Sequence, residues 1–402
     1  GTEVILTIKK PNTGEVQDYS IIRDVITIKD IPFYGMVNDN VGYLRITNFS
    51  VNTANETKDA LISLMQNGAS NVIIDLRDNP GGLLSSSLDL LDLILPKNLE
   101  LVSTKGRAGK SIKNYKTLNN ALIPDTINMA VLINGASASA SEIVAGVLQD
   151  YDRAIVLGSQ SFGKGLVQTV IGINQETALK ITNSKYYIPS GRSLQKREFI
   201  DDELIANSSA VADTLFQTKA GRTVIGGGGI GPDVIVKDEG SYPLAASILR
   251  SRGYFKFVQE NNNQYSSIDE VLADEELMVK FKTFIEKNDI SGYVDGQEDL
   301  KLAKEKLSKK EEKNLFINNA FSVIEKQIEK TQSTMFEDEK EIIQRMVHGE
   351  FAFYYNGYEG RYNIYLKDDT VVQKAIEIFA DESKYLSILS NTESTEVASL
   401  NN

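Results

Sequence analysis

Between residues 41 and 190, short apolar runs alternate with longer segments of helical periodicity, and few folds accept that order. Val41–Thr47 reads as a strand. Thr53–Gln66 reads as a helix capped by Asn52 or Thr53, with Ala60, Leu61, Leu64 and Met65 at helical spacing. Asn71–Leu76 is a buried-strand run, Leu83–Leu95 an apolar helix stopped by Pro96, Met129–Ile133 a strand and Ser139–Leu148 a helix. Ala154–Leu157, Leu166–Ile171 and Ala178–Ile188 read as further strands. This alternation predicts an α/β core with a largely parallel sheet, whose helices cover the apolar strand faces.

The pattern changes on either side. Val4–Ile8 and residues 19–28 read as two strands around a Pro11–Gly14 turn. Two lone strands make no core. The chain is therefore expected to begin inside a domain whose earlier part lies outside it, or these strands join the next domain, and no leader peptide is expected. Residues 196–220 are polar and irregular, a predicted surface insertion, and Gly226–Gly229 leads into Pro232 and Asp233. After about residue 240 helical periodicity dominates. Leu272, Leu277, Phe281, Phe284 and Ile285 mark one segment, a Lys/Glu-rich stretch runs from Leu300 to Lys330, and two helices are predicted near 338–349 and 370–390. Residues 257–402 read as a separate helical unit, a scaffold or docking module, with a frayed polar tail over 391–402.

Composition narrows the chemistry. At 402 residues the chain has room for two or three units. Its 43 Lys and Arg against 55 Asp and Glu leave a formal net charge of −12, which argues against nucleic acid as a partner. No apolar run reaches the ~20 residues a membrane helix needs. With no Cys, disulfides, thiolate metal sites and a Cys nucleophile are excluded. The one histidine, His348, lies in a charged helical stretch, so a Ser-His-Asp triad would rest on it alone. A hydrolase built from this chain needs Lys, Asp or Glu as its base.

Three stretches could carry such chemistry. Asn134-Gly-Ala-Ser-Ala-Ser-Ala-Ser-Glu142 follows a buried strand and opens a helix. Its small residues permit a sharp turn, and the free amides and dipole at the helix start can hold an oxyanion beside a nucleophilic Ser. The plainer alternative is a Ser-rich cap with tight Ala packing. In Gly158-Ser-Gln-Ser-Phe-Gly-Lys-Gly165, Gly158-x4-Gly163-Lys164 matches a phosphate-binding loop except at its last position. That position needs Ser or Thr but holds Gly165, and the following Leu166–Val170 is strand-like rather than helical. Lys164 is alternatively a general base: desolvation lowers a lysine's pKa, and a neutral amine can take a proton from a serine hydroxyl. A surface lysine beside a turn is the plain reading. Asp75-Leu-Arg-Asp-Asn-Pro-Gly-Gly82 ends a buried strand, where the Gly81 or Gly82 amide could be an oxyanion donor or the turn could be a simple connection.

Taken together, these segments resemble the C-terminal processing peptidases, or tail-specific proteases, which are Ser/Lys-dyad enzymes. Gly42–Ile46 with Phe49, Asp75–Gly82, Asn134–Asp150, Gly158–Gln168, Tyr187-Ile-Pro-Ser-Gly-Arg192 and Gly226–Asp233 follow the family's order across roughly residues 1–255. The resemblance implies a ClpP/crotonase-like strand–helix core with a C-terminal mostly helical domain. It implies Ser139 as nucleophile, Lys164 as base and Gln168 as a residue positioning the lysine. The Ala140 amide would be one oxyanion donor, and Gly81 or Gly82 the other. Four extended residues span about 13 Å, so Gln168 reaches Lys164 only if the chain turns at Gly163–Gly165. Asp150 is expected to pair with Arg153 or cap a helix end.

The domains would be a PDZ remnant over 1–28, the catalytic core over 29–256 and the helical domain over 257–402. The implied activity is endopeptidase cleavage near extended C-terminal tails of proteins, without a cofactor or metal, in the periplasm or cell envelope. Membrane association through a segment outside this chain and homo-oligomerisation are left open. The competing class is a non-catalytic peptide-binding scaffold on a protease-like core.

Overall fold

The N-terminal residues form an antiparallel hairpin of β1 (Glu3–Lys9) and β2 (Val16–Ile22). The computed structural model describes all residues except 11–13, 27, 107–110, 175, 197, 201–202, 206–213, 237–239, 241, 309–314 and 391–402. Most of the expected Pro11–Gly14 turn, part of the 196–220 insertion and the whole 391–402 tail thus lie outside the described residues. β2 stops at Ile22 rather than running to residue 28.

The alternating segment then unfolds in the predicted order. β3 (Phe33–Met36), β4 (Val41–Arg45), α1 (Thr53–Gln66), β5 (Asn71–Asp75) and α2 (Leu84–Ile94) come first. Next are β6 (Glu100–Gly106), β7 (Ser111–Lys116), β8 (Asn128–Ile133), α3 (Ala140–Asp150) and β9 (Ile155–Gly158). β10 (Leu166–Gly172) and β11 (Ala178–Tyr187) form a long hairpin. Short pairs follow, β12 (Glu198–Ile200) with β13 (Glu203–Ile205) and β14 (Leu215–Gln217) with β15 (Thr223–Ile225), and then β16 (Val234–Ile235).

The main sheet has the order β16-β9-β8-β5-β4-β3, parallel at every pairing except β3–β4. A second, antiparallel sheet of order β10-β11-β6-β7 was not expected from the sequence. Its strands β6 and β7 carry too few apolar residues to be read as strands.

Among the described residues nine α-helices follow. They are α4 (Pro243–Arg250), α5 (Gly253–Asn261), α6 (Ile268–Leu272), α7 (Leu277–Lys287), α8 (Gln297–Ser308) and α9 (Leu315–Asp338), then α10 (Lys340–Tyr365, interrupted at Gly357), α11 (Thr370–Phe379) and α12 (Glu382–Ser390). Contacts divide the chain into residues 27–238 with 369–402, and residues 1–26 with 239–368. That division differs from boundaries at 28 and 256. α4 and α5 contribute Leu244, Ile248, Tyr254 and Phe257 to an aromatic core with Phe281, Phe284 and Phe351 of the helical unit. α11 and α12 instead belong with the main sheet.

Strand parity explains that return. Val72, Ile74, Met129, Val131, Ile133 and Val156 face a core shared with Leu61, Leu64, Leu90, Leu91, Ile143 and Val147 of α1–α3. The residues between them, Ile73, Ala130, Leu132, Ile155 and Leu157, are equally buried. α11 packs on β5, β8 and β9, and α12 on β9. α11 buries Val371, Val372, Ala375, Ile378 and Phe379, one face at helical spacing. A sheet apolar on both faces needs helices on both, and the second set comes from the far end of the chain.

Candidate active site

β8 carries the chain to the serine-rich turn. Asn134 and Asp78 lock this turn to the end of β5: the Asp78 N–H donates to Asn134 Oδ1 at 2.9 Å, and Asn134 Nδ2 donates to Asp78 Oδ1 at 2.8 Å. Ser137 Oγ donates to the Leu76 carbonyl at 2.8 Å. Ser139 then caps α3 with φ 56° and ψ −110°. A non-glycine residue held there stores roughly 1–3 kcal/mol of strain, tolerable only where the surroundings fix it. Ala140 is the first helical residue, so its N–H has no acceptor within the helix.

The glycine turn after β5 approaches this serine closely. A Cβ on Gly81 (φ +94°) would lie 2.6 Å from the Ala138 carbonyl oxygen, 2.8 Å from the Ala140 nitrogen and 2.9 Å from Ser139 Cβ. Only glycine lets the two turns meet. Asn79 joins them: its carbonyl accepts from the Ala138 N–H at 3.0 Å and from Ser141 Oγ at 3.0 Å. Its side-chain oxygen accepts the Gly81 N–H at 2.9 Å. That bond occupies Gly81 as a donor. The Gly82 N–H makes no hydrogen bond among the described residues, while Gly81 and Leu83 tie the strandlike contact to Phe49.

A residue the sequence reading did not single out organises the rest. Glu142 is fully buried. Its Oε2 accepts the Ser139 N–H and the Lys164 N–H, each at 2.8 Å. Its Oε1 accepts Ser161 Oγ at 2.6 Å and the Gly163 N–H at 2.7 Å. Burial pushes this carboxyl above its usual range, and the four donors partly offset that. The signal was present as Ser139-x-x-Glu142, a capping-box spacing at the start of a predicted helix.

The Lys164 loop is fixed by its backbone. Beyond the two Glu142 bonds, the Gly163 carbonyl accepts the Lys196 N–H at 3.0 Å, and the Gly165 N–H donates to Gln195 Oε1 at 2.9 Å. The side chain behaves differently. Lys164 is exposed, and no hydrogen bond joins its ammonium to the Ser139 hydroxyl among the described residues. The desolvated lysine expected from the sequence is not the state seen here. Gln168 does not reach it either: on exposed β10, next to a register shift after Val167, its Nε2 donates to Thr182 Oγ1 of β11 at 3.4 Å. The nucleotide-loop reading fails because Lys164 leads into β10, not a helix.

The Asp150 pairing also needs correction. Its carboxylate meets Arg192, 2.8 Å away and 1% exposed, and accepts the Ser190 N–H at 2.9 Å. Arg153 instead donates to the Ile127 and Pro124 carbonyls. Asp150 thus fastens the end of α3 to the Tyr187–Arg192 segment.

Below the glycine turn lies a charged cluster. Asp75, wholly buried, accepts Tyr43 Oη at 2.7 Å, meets Arg45 Nη1 at 2.8 Å and receives Arg77 through its N–H at 2.9 Å and Nη2 at 2.6 Å. Burial raises the Asp75 pKa, but Arg45 and Arg77 outweigh it and hold the carboxyl well below the usual carboxylate range. Burial also opposes the Arg77 charge, and Asp75 and Asp369 more than compensate.

Residues 40–205 match peptidase family S41, and residues 244–379 match a family described as the C-terminal helical domain of a probable PDZ-protease. A carboxy-terminal-processing protease from Bartonella bacilliformis is 41% identical over 199 residues, 48% of this chain and 45% of that protein. A carboxyl-terminal-processing protease from a Picosynechococcus species is 35% identical over 209 residues, 51% of this chain and 49% of that protein. The chain spans about half the length of these curated relatives. A solved photosystem II D1 C-terminal processing protease superposes with a TM-score of 0.41 at 23% identity, over 59% of this chain and 55% of that one. Residues 40–205 are thus similar to peptidase family S41, and the curated proteins that this chain resembles are carboxy-terminal-processing proteases.

Proposed function

We propose that this chain is a serine endopeptidase that cleaves proteins near extended C-terminal tails through a Ser139/Lys164 dyad. The observation that carries the reading is Glu142, one buried carboxylate that takes the backbone N–H groups of both Ser139 and Lys164. It holds the two backbones on a common anchor.

In this mechanism Lys164 leaves its exposed rotamer as substrate covers the site and sheds water, which favours its neutral form. The neutral amine removes the Ser139 proton, and the serine oxygen attacks the scissile carbonyl. The oxyanion accepts from the Ala140 N–H and from the Gly82 N–H, the donor left open when Asn79 takes Gly81. Lys164 returns the proton to the leaving amine as the peptide C–N bond breaks. Water, deprotonated by Lys164, then hydrolyses the Ser139 ester. No metal or cofactor enters. Gln168 would contribute only if β10 shifts.

The β1–β2 hairpin reads as the end of a PDZ domain, residues 29–256 as the catalytic domain and 257–402 as a helical domain. The family relationship supports substrates met in the periplasm or cell envelope. Among the described residues no helix is long and apolar enough to cross a membrane.

Ser139→Ala and Lys164→Ala are each expected to abolish cleavage of an unstructured-tail protein substrate. Retained cleavage in either variant rejects the dyad. The exposed Lys164 favours the second reading, a peptide-binding scaffold. A fluorophosphonate separates the two: it labels Ser139 in a working site and leaves a scaffold unlabelled.

A further inference from the structure

Asp369 sits where the chain, after α10, returns to the main-sheet unit. It is the N-cap of α11: its Oδ1 accepts the Val371 N–H at 3.1 Å and the Val372 N–H at 3.0 Å. The same carboxylate grips Arg77 two-fold, Nη1 to Oδ1 at 3.1 Å and Nη2 to Oδ2 at 2.8 Å, although the two residues are 292 positions apart. Arg77 is thereby held between two carboxylates, Asp75 behind it and Asp369 in front. The side chains of Arg77 and Asp369 are 17% and 19% exposed, so water competes weakly for this bidentate pair.

Arg77 opens the turn that matters for the reaction. Two residues on, Asn79 accepts from Ala138 and Ser141 and takes the Gly81 N–H, which leaves the Gly82 N–H open. A shift of the 77–79 backbone would move that donor relative to Ser139. A helix cap alone would call for any good capping side chain. The fork-on-fork geometry toward Arg77 calls for a carboxylate.

We propose that Asp369 is a positioning residue for the oxyanion turn, holding residues 76–82 against the Ser139 turn through Arg77. The proposal rests on the protease reading for its effect on catalysis, but not for its effect on the turn. Losing the carboxylate leaves one side of the guanidinium unpaired and frees the turn to sample positions in which Gly82 points away from the reacting carbonyl.

The test uses Asp369→Asn in the full chain, because asparagine remains a good N-cap and keeps α11 folded. Amide hydrogen exchange followed by mass spectrometry should show residues 76–83 exchanging about tenfold faster than in the wild type. Peptides from α11 and β8 should be unchanged. On a peptide substrate, kcat should fall about tenfold with KM unchanged, as expected for a misaligned transition-state donor. Asp369→Ala, which removes cap and carboxylate together, should in addition loosen α11. Unchanged exchange at 76–83 in Asp369→Asn overturns the proposal whether or not the chain cleaves peptides. Faster exchange there, in a protein whose wild type shows no Ser139-dependent cleavage, sustains the positioning role and rejects the protease reading instead.

Discussion

At the scale of single residues, the site depends on Glu142 more than on any group the sequence advertised. Four donors converge on its two oxygens, so every lone pair facing the serine and lysine loops is used. Glu142→Gln is nearly isosteric but presents an NH2 to two of those donors. It is expected to cost roughly 2–6 kcal/mol, the sum for two buried donors left unsatisfied, and to prevent acylation of Ser139. Urea denaturation and fluorophosphonate labelling measure the two effects. A variant that labels at the wild-type rate would show that Glu142 has no part in placing the serine. The serine-rich turn and the Gly163–Gly165 turn were legible in the sequence because small-residue turns at strand ends leave a composition mark. Where the Lys164 side chain points was not legible, since a rotamer depends on neighbours distant in sequence.

At the scale of elements, parallel strands and covering helices were readable because burial on both faces leaves near-continuous apolar runs. Thr53–Gln66 matches its predicted range, and β8 and β9 lie within a residue of theirs. β6 and β7 escaped notice because their sequences, Glu-Leu-Val-Ser-Thr-Lys-Gly and Ser-Ile-Lys-Asn-Tyr-Lys, show neither a continuous nor a clean alternating apolar pattern. The end of β5 holds the buried Asp75 between Arg45 and Arg77. Asp75→Asn removes the negative centre and leaves two arginines facing each other, an expected loss of about 3–5 kcal/mol at neutral pH. The folded carboxyl titrates below its ordinary value of 3.8, so its contribution is complete above that value and disappears as pH falls through the depressed folded one. The difference in unfolding free energy between wild type and Asp75→Asn should therefore be flat from pH 5 to 8 and shrink only in stronger acid. A difference that declined already between pH 7 and 5 would contradict this charge assignment.

At the scale of the whole molecule, the family match over 40–205 does not contain a complete fold. α11 packs on β5, β8 and β9, and Tyr385 of α12 donates to the Met129 carbonyl at 3.2 Å and accepts the Met129 N–H at 3.0 Å. Helical periodicity announced α11, but no local pattern says which sheet a helix will cover. A chain ending at Asp368 loses the burial of Val371, Val372, Ile378 and Phe379, each worth about 1.5–3 kcal/mol. It is expected to aggregate or to melt well below the full chain, as followed by calorimetry. A truncated chain with the full melting temperature would show that the sheet tolerates a bare face. The topology also orders events in time. A ribosome delivers β5, β8 and β9 long before the two helices that cover their second face. Until α11 and α12 emerge, a nascent molecule carries an exposed, aggregation-prone apolar surface and an Arg77 without its Asp369 partner, so the sheet's second face is closed only after the helices of residues 243–365 have been made.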